Sequence, residues 1–396
     1  MADRVLRLKG GQVLRPDGSL IEADVVLQQG RVAAVGPGLT TEAEVDASGC
    51  TILPGLIELH THGMQGQSAE TGDLAAYARV MATLGATTFY PTLFCAPDRA
   101  VEHLARHRRE TDDLAAVPQV PGFRLESPYL AIPSGGTDQD VTPVSDAVTE
   151  RLLAAGAVSG SSTSLVKIWD LSPELDGAVE AIRRITGQGI VCSIAHTRAS
   201  IAQGRAAVAA GARLVTHLFD VFYHTPERKD PDPDIYAPGL VDYLLLEDRV
   251  VCEIVGDGTH VDPLLVEKAF RCKGPAGLAF VTDSNLASGM PPGRYTMPGS
   301  WGDVVIRSGS DGVRLPDREM ILAGSALSPI EGLRNVIRLF GKDLATASRL
   351  WSANPARLMG LNKGEVAVGR DADLIVVDAN LDLVCTIVAG EIAFHR

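Results

Sequence analysis

Apolar and polar residues alternate through the first fifty positions of the chain. In "RVLRLKGGQVLRPDGSLIEADVVLQQGRVAAVGP" the alternation breaks at Asp17-Gly18 and Gln29-Gly30, both hairpin-type turns. Short β-strands are expected here. The closing stretch, "GEVAVGRDADLIVVDANLDLVCTIVAGEIAFHR", has the same texture. Neither end alone buries much surface. Together they suggest one small sheet domain assembled from both termini, residues 1–53 plus 363–396. Two separate β appendages are the less economical alternative.

Between the ends, over residues 54–362, the texture changes. Apolar runs of strand length begin at Leu56, Thr87, Gly122, Ser164, Ile190, Arg213, Val250 and Gly277. Amphipathic helical candidates such as "GDLAAYARVMATLGA" and "PELDGAVEAIRRITGQG" lie between most of them. Buried strands alternating with helices predict a parallel sheet, and eight repeats predict an α/β fold of the (β/α)₈ TIM barrel type. An open, doubly wound sheet is the alternative on pattern alone.

Composition adds limits. Hydrophobic residues make up 45% and charged residues 21% of the 396 positions, and 36 basic against 49 acidic residues give a net charge of −13. That balance argues against a nonspecific nucleic-acid binder, which needs a basic stripe. It leaves room for a local basic pocket. The start "MADRVLRLKGG" has no apolar signal core, and no apolar stretch is long enough to span a membrane. The six cysteines are scattered without a C-x-x-C pair, as in reduced cytoplasmic proteins. A small-molecule substrate, with no nucleic acid and no membrane, is the expectation.

Residues able to bind metal gather at the carboxyl ends of the predicted strands, where barrels carry their chemistry. His60 and His62 end the first run in "LPGLIELHTHG", Glu126 ends the third and His196 the fifth. His217 lies near the end of the sixth, and Asp283 ends the eighth. His260 follows the seventh in "GDGTHVDP". Residues i and i+2 of a strand point to one side, so His60 and His62 can meet one ion. Imidazoles and carboxylates suit Zn²⁺, Fe²⁺ or a similar divalent metal. A carboxylate such as Asp283 can take a proton from water that the metal has acidified. Each residue alone has a plain structural alternative: an ion pair for Glu126, a helix cap for Asp283, a turn for His62. Six at one end of different strands are hard to explain by packing.

With these residues in view, the chain resembles the amidohydrolase superfamily and, within it, the N-acetylglucosamine-6-phosphate deacetylases. "LPGLIELHTHG", "LESPYL", "VTHLFD", "GDGTHVDP", "FVTDSNLASG" and "LAGSALSPIEGLRNVI" resemble that family's motifs in order, nearly end to end. The resemblance implies Glu126, His196 and His217 as ligands of the main catalytic metal. His60 and His62 would serve a second ion bridged by Glu126 and contacted by Asp283. Zn is the first expectation, with Fe, Mn or Co as alternatives. It also implies Asp283 as the catalytic acid–base, His260 as the residue that orients the substrate, a homodimer, a pocket including Leu322, Ala323 and Gly324, and a small β-sandwich domain formed by the β-rich ends.

Departures from the family pattern concentrate in that pocket. Asp220 stands where relatives have Asn, and Val221 where they have Ala. "GGTDQD" keeps Thr137 but has Asp138 in place of His, and Ser127 replaces Gly. Added carboxylates near a phosphate repel it by about a kcal/mol or more at intermediate dielectric. Against this, Arg228 in "TPERKD" stands at the position of a phosphate-contacting Arg, with Lys229 beside it. The leading reading is a metal-dependent deacetylase of an N-acetylated amino sugar phosphate. The second keeps the mechanism but takes an unphosphorylated or cationic N-acyl substrate. The third is a catalytically silent binding barrel.

Overall fold

The computed structural model describes residues 5–70, 72–110, 117–135, 138–158, 164–224, 237–298, 301–307 and 312–396. The chain opens with β1 (Val5–Leu14), β2 (Leu20–Gln28), β3 (Arg31–Gly36), β4 (Ala43–Asp46) and β5 (Thr51–Pro54). Gln29 and Gly30, with φ of 50° and 71°, reverse the chain between β2 and β3. Two positive φ values are what a tight hairpin turn requires.

Only Gly55 separates β5 from the barrel. A Cβ there would fall 2.1 Å from Thr87 Oγ1, so this approach of the two segments requires glycine. Eight parallel strands then follow: β6 (Leu56–Thr61), β7 (Ala86–Leu93), β8 (Phe123–Tyr129), β9 (Val166–Leu171), β10 (Val191–Ile194), β11 (Leu214–Val215), β12 (Val251–Val255) and β13 (Leu278–Val281). Each pairs with its successor in the chain. Every apolar run of the sequence is one of these strands. Strands β6 and β7 are buried at every position, as a parallel sheet covered on both faces demands. The ends meet as well: Asp283 N–H donates to His60 O at 2.9 Å, and His62 N–H to Ser284 O at 2.9 Å. These bonds close the barrel and exclude the open sheet.

Among the described residues, the helices that cover or follow the strands include α1 (Leu74–Ala82), α2 (Pro97–Glu110), α3 (Asp146–Gly156), α4 (Ala178–Thr186), α5 (Ile201–Ala210), α6 (Leu240–Leu246), α7 (Pro263–Lys273) and α8 (Pro329–Arg338). Helix α4 shows why they pack: Ala178, Ala181, Ile182 and Ile185 are buried, the i, i+3, i+4, i+7 stripe of an amphipathic helix. Several starts are capped, with Ser200 and Gln203 forming a capping box on α5 and Ser328 preceding Pro329 on α8. Among the described residues no helix is long and apolar enough to cross a membrane.

Between β13 and α8 lies an addition to the expected architecture. Strands β14 (Gly293–Met297), β15 (Gly302–Ile306), β16 (Arg314–Leu315) and β17 (Ile321–Leu322) form an antiparallel sheet over a small core of Trp301, Val304, Ile306 and Val313. The chain ends in β18 (Leu374–Val377), β19 (Leu383–Val388) and β20 (Glu391–His395). Strand β18 pairs antiparallel with β5, Leu374 opposite Pro54, so the two termini share one sheet. Leu8, Val13, Val25, Ile52, Leu374 and Ile387 form its buried face. Trp169 and Trp351 are fully buried in the main core.

Candidate metal centre

The barrel brings the metal-type residues to one buried point. Glu126, on β8, sits between four imidazoles. Its Oε2 lies 3.1 Å from His60 Nε2 and 2.9 Å from His62 Nε2. Its Oε1 lies 3.0 Å from His196 Nε2 and 3.3 Å from His217 Nε2. Asp283 Oδ1 stands 3.4 Å from His60 Nε2 and 3.3 Å from His62 Nε2. Two overlapping groups, His60–His62–Asp283 and His60–Glu126–His217, thus offer ligand atoms within 4.8 Å of one another. One carboxylate with two histidines on each oxygen is a layout able to bridge two ions.

Local backbone geometry places these groups. His60 and His62 lie at i and i+2, at the end of β6 and just beyond it. His196, His217 and Asp283 each stand two residues past the last residue of β10, β11 and β13. All three have positive φ, at 46°, 26° and 48°. Such backbone costs about 1–3 kcal/mol per residue for a non-glycine and persists only where surrounding structure enforces it. It turns each side chain off its strand toward the barrel axis side shared by Glu126.

The electrostatics fit a cation. His196 Nδ1 faces the Ile132 carbonyl at 2.8 Å, and His217 Nδ1 the Asp220 carbonyl at 3.2 Å. A carbonyl only accepts, so in the neutral rings the proton sits on Nδ1 and Nε2 presents a lone pair to Glu126. Lone pair against carboxylate at 3.0 Å is repulsive unless positive charge lies between them. Burial, and for His60 the Arg124 guanidinium, by themselves disfavour imidazolium here. The Glu126 and Asp283 carboxylates overcome this, pushing His60 up to about 10 and His62 to about 9. Burial opposes ionisation of Glu126 and Asp283 too, yet the histidines hold both carboxyls well below the usual range. With the rings neutral, as they are when they bind an ion, the two carboxylates leave negative charge for that ion to balance. The site's donors are imidazoles and carboxylates with no thiolate, and these residues fit a divalent ion such as Zn²⁺.

A cavity opens onto this point. His62, Glu126, His196, His217 and Asp283 form its floor, and Asp220, Val221, His260, Leu322, Ala323 and Gly324 stand in its wall. His260 Nδ1 donates to Asp257 Oδ2 at 2.6 Å, which fixes its ring. Gly324 has φ +73°, and a Cβ there would fall 2.7 Å from Asp283 O. Asp138 is exposed in a short 3₁₀ turn (Asp138–Asp140) and is not among the residues lining the cavity. Thr137, Arg228 and Lys229 lie outside the described residues. Phe94, Pro133, Ser134, Gly135 and Trp301 also line the cavity, and sequence reasoning did not single them out. Trp301 is the largest of them, its ring 5.1 Å from that of His62 at 61°. Its place shortly after the Asp283 motif was the available signal.

Comparison with known proteins agrees with this geometry. Residues 51–393 match the amidohydrolase family. The chain is 31% identical over 352 residues to the N-acetylglucosamine-6-phosphate deacetylase of Vibrio furnissii, covering 87% of this chain and 83% of the relative. The chain belongs to the amidohydrolase family and, within it, to the N-acetylglucosamine-6-phosphate deacetylases. Family members of this kind hydrolyse amide bonds, and this protein is such an enzyme. An N-acetylgalactosamine-6-phosphate deacetylase of Escherichia coli O157:H7 is also similar, 28% identical over 98% of both chains. Among solved structures, a deacetylase from Mycobacterium smegmatis in complex with N-acetyl-D-glucosamine-6-phosphate superposes with a TM-score of 0.84. It is 27% identical and covers 99% of this chain and all of its own.

Proposed function

We propose that the protein hydrolyses the acetamide of an N-acetylated amino sugar phosphate, releasing acetate and the free amine. The observation that carries this reading is the convergence of four imidazoles and two carboxylates at the floor of one cavity. Glu126, His196 and His217 would hold the main ion, and His60 and His62, with Glu126 and Asp283, a second. When bound, a divalent ion, with Zn²⁺ ahead of Fe, Mn or Co, acidifies water and polarises the acetamide carbonyl. Asp283 takes the proton of the attacking water and returns it to the leaving amine. His260, its Nδ1 proton held by Asp257, orients the substrate from the cavity wall. A homodimer working in the cytoplasm completes the reading, and six free thiols suit a reducing compartment.

One observation favours a second substrate class. No lysine or arginine lines the cavity among the described residues, whereas Glu126, Asp220 and Asp283 do. That lining suits an unphosphorylated or cationic N-acyl compound, unless Arg228 and Lys229 supply the missing charge. The test is release of free amine from N-acetylglucosamine 6-phosphate and from N-acetylglucosamine, side by side, with Zn²⁺-loaded protein and an Asp283→Asn control. Activity on the phosphate ester alone, lost in the control, is expected. Turnover of the unphosphorylated sugar in preference, or of neither, would overturn the phosphate assignment.

A further inference from the structure

One layer deeper in the barrel lies a buried ion cluster that the metal chemistry does not itself use. Arg124 stands two residues before Glu126 on β8, so both side chains enter the barrel. The Arg124 guanidinium, fully buried, bonds Asp170 of β9 through Nε at 2.8 Å and Nη2 at 3.0 Å. It bonds Glu253 of β12 through Nη1 at 2.7 Å and Nη2 at 3.0 Å. Leu59 O and Thr216 Oγ1 take two further contacts, at 3.1 and 3.0 Å. Burying three ionisable groups is costly, and replacing such clusters by apolar residues is often neutral or stabilising. Stability alone is a weak reason for this one.

What Glu253 faces gives a better reason. Its Oε2 accepts the backbone N–H of His217 at 3.4 Å and stands 3.7 Å from Nδ1 of His60. That Nδ1 is buried and has no hydrogen-bond partner. The contrast with His196 and His217 is direct, since their Nδ1 atoms are satisfied by carbonyls. A ring whose Nε2 is to bind an ion needs its proton on Nδ1 and an acceptor to keep it there. Glu253 stands beside that atom, 3.7 Å away, where such an acceptor is needed.

We propose that Glu253, tethered by Arg124, is the positioning residue of His60: its carboxylate accepts from Nδ1–H, keeps that proton on the ring, and so turns the Nε2 lone pair toward the ion. The inference rests on the metal-centre reading above. Arg124 keeps Glu253 from swinging toward other donors, and the shared bond to the His217 backbone ties both halves of the centre to one carboxylate.

The test is a double-mutant cycle on Zn²⁺ affinity, measured by chelator competition, with bound metal counted by elemental analysis. In the otherwise native protein, Glu253→Gln should weaken binding roughly 10- to 100-fold, the usual effect of losing such a partner. In a His60→Ala background the same change should add no further loss. Should the Gln variant not fold, Glu253→Asp, which keeps the charge and shortens the reach, takes its place in the same cycle. Equal losses in both backgrounds, or unchanged affinity in a folded variant, would overturn the proposal alone. A native protein that binds no Zn²⁺ would overturn it together with the reading it rests on.

Discussion

Asp283 shows how much a single residue is asked to carry. It closes the barrel through its backbone N–H, holds a left-handed φ of 48°, and stands within 3.4 Å of two imidazoles. Asp283→Asn keeps the shape and removes the proton acceptor. A fall in kcat of roughly 10²- to 10⁴-fold is expected, the ordinary worth of a general acid–base, with the ion of Glu126, His196 and His217 retained. Gly324→Ala probes the same residue from outside. The new Cβ meets the Asp283 carbonyl, and its backbone favours glycine, so a loss of about 1–3 kcal/mol is expected. Denaturant melts alongside kcat measure it, and a variant as stable and active as the parent would show that the contact relaxes freely.

A second residue reports on pH. His103 lies half-buried on α2, its Nε2 buried without a hydrogen-bond partner. Burial, then the neighbouring Arg106 and Arg99, push its imidazole from 6.5 down to about 4. Between those values the unfolded chain binds the proton and the folded one does not, so stability falls as pH drops through that window. Removing the titration in His103→Asn should flatten the acid limb of the Tm profile between pH 6.5 and 4. An unchanged slope would assign that limb to other groups.

Among the elements, the β14–β17 sheet has the most to say about specificity. It places Trp301 beside His62 and supplies Leu322 to the cavity wall, so it shapes the space a substrate must fill. Trp301→Ala should raise KM roughly tenfold, about 1.4 kcal/mol, with a smaller change in kcat. Steady-state kinetics on the best substrate decide this, and a loss confined to kcat would mean that Trp301 acts on the metal ligands instead. This sheet was hard to read in the sequence for a physical reason. Two of its strands are two residues long, and so short a run shows no periodicity. The barrel strands were legible because burial on both faces makes them unbroken apolar runs, and β1 to β3 because one buried face makes them alternate.

At the scale of the whole molecule, closure of the barrel turns a linear pattern into a site. His60, Glu126, His196, His217 and Asp283 could each be located in the sequence by their strand ends. Arg124, Asp170 and Glu253 could not, because a charged residue within a strand reads as a solvent-facing position until closure brings three such positions together. The same closure predicts a link between metal and stability. Ligands drawn from β6, β8 and the ends of β10, β11 and β13 mean that an ion binding only the folded chain raises Tm with its concentration. Thermal melts in a Zn²⁺ series should show that rise, and a flat series would mean the ion does not bind across these strands.

The measurement that most directly tests the account is removal and return of the metal. The protein is stripped with a chelator, assayed for amine release from N-acetylglucosamine 6-phosphate, and titrated with Zn²⁺ while bound metal and activity are followed together. Activity is expected to vanish on stripping and return in step with the bound ion, while the Glu126→Gln variant recovers neither. Full activity in the stripped protein would contradict that expectation.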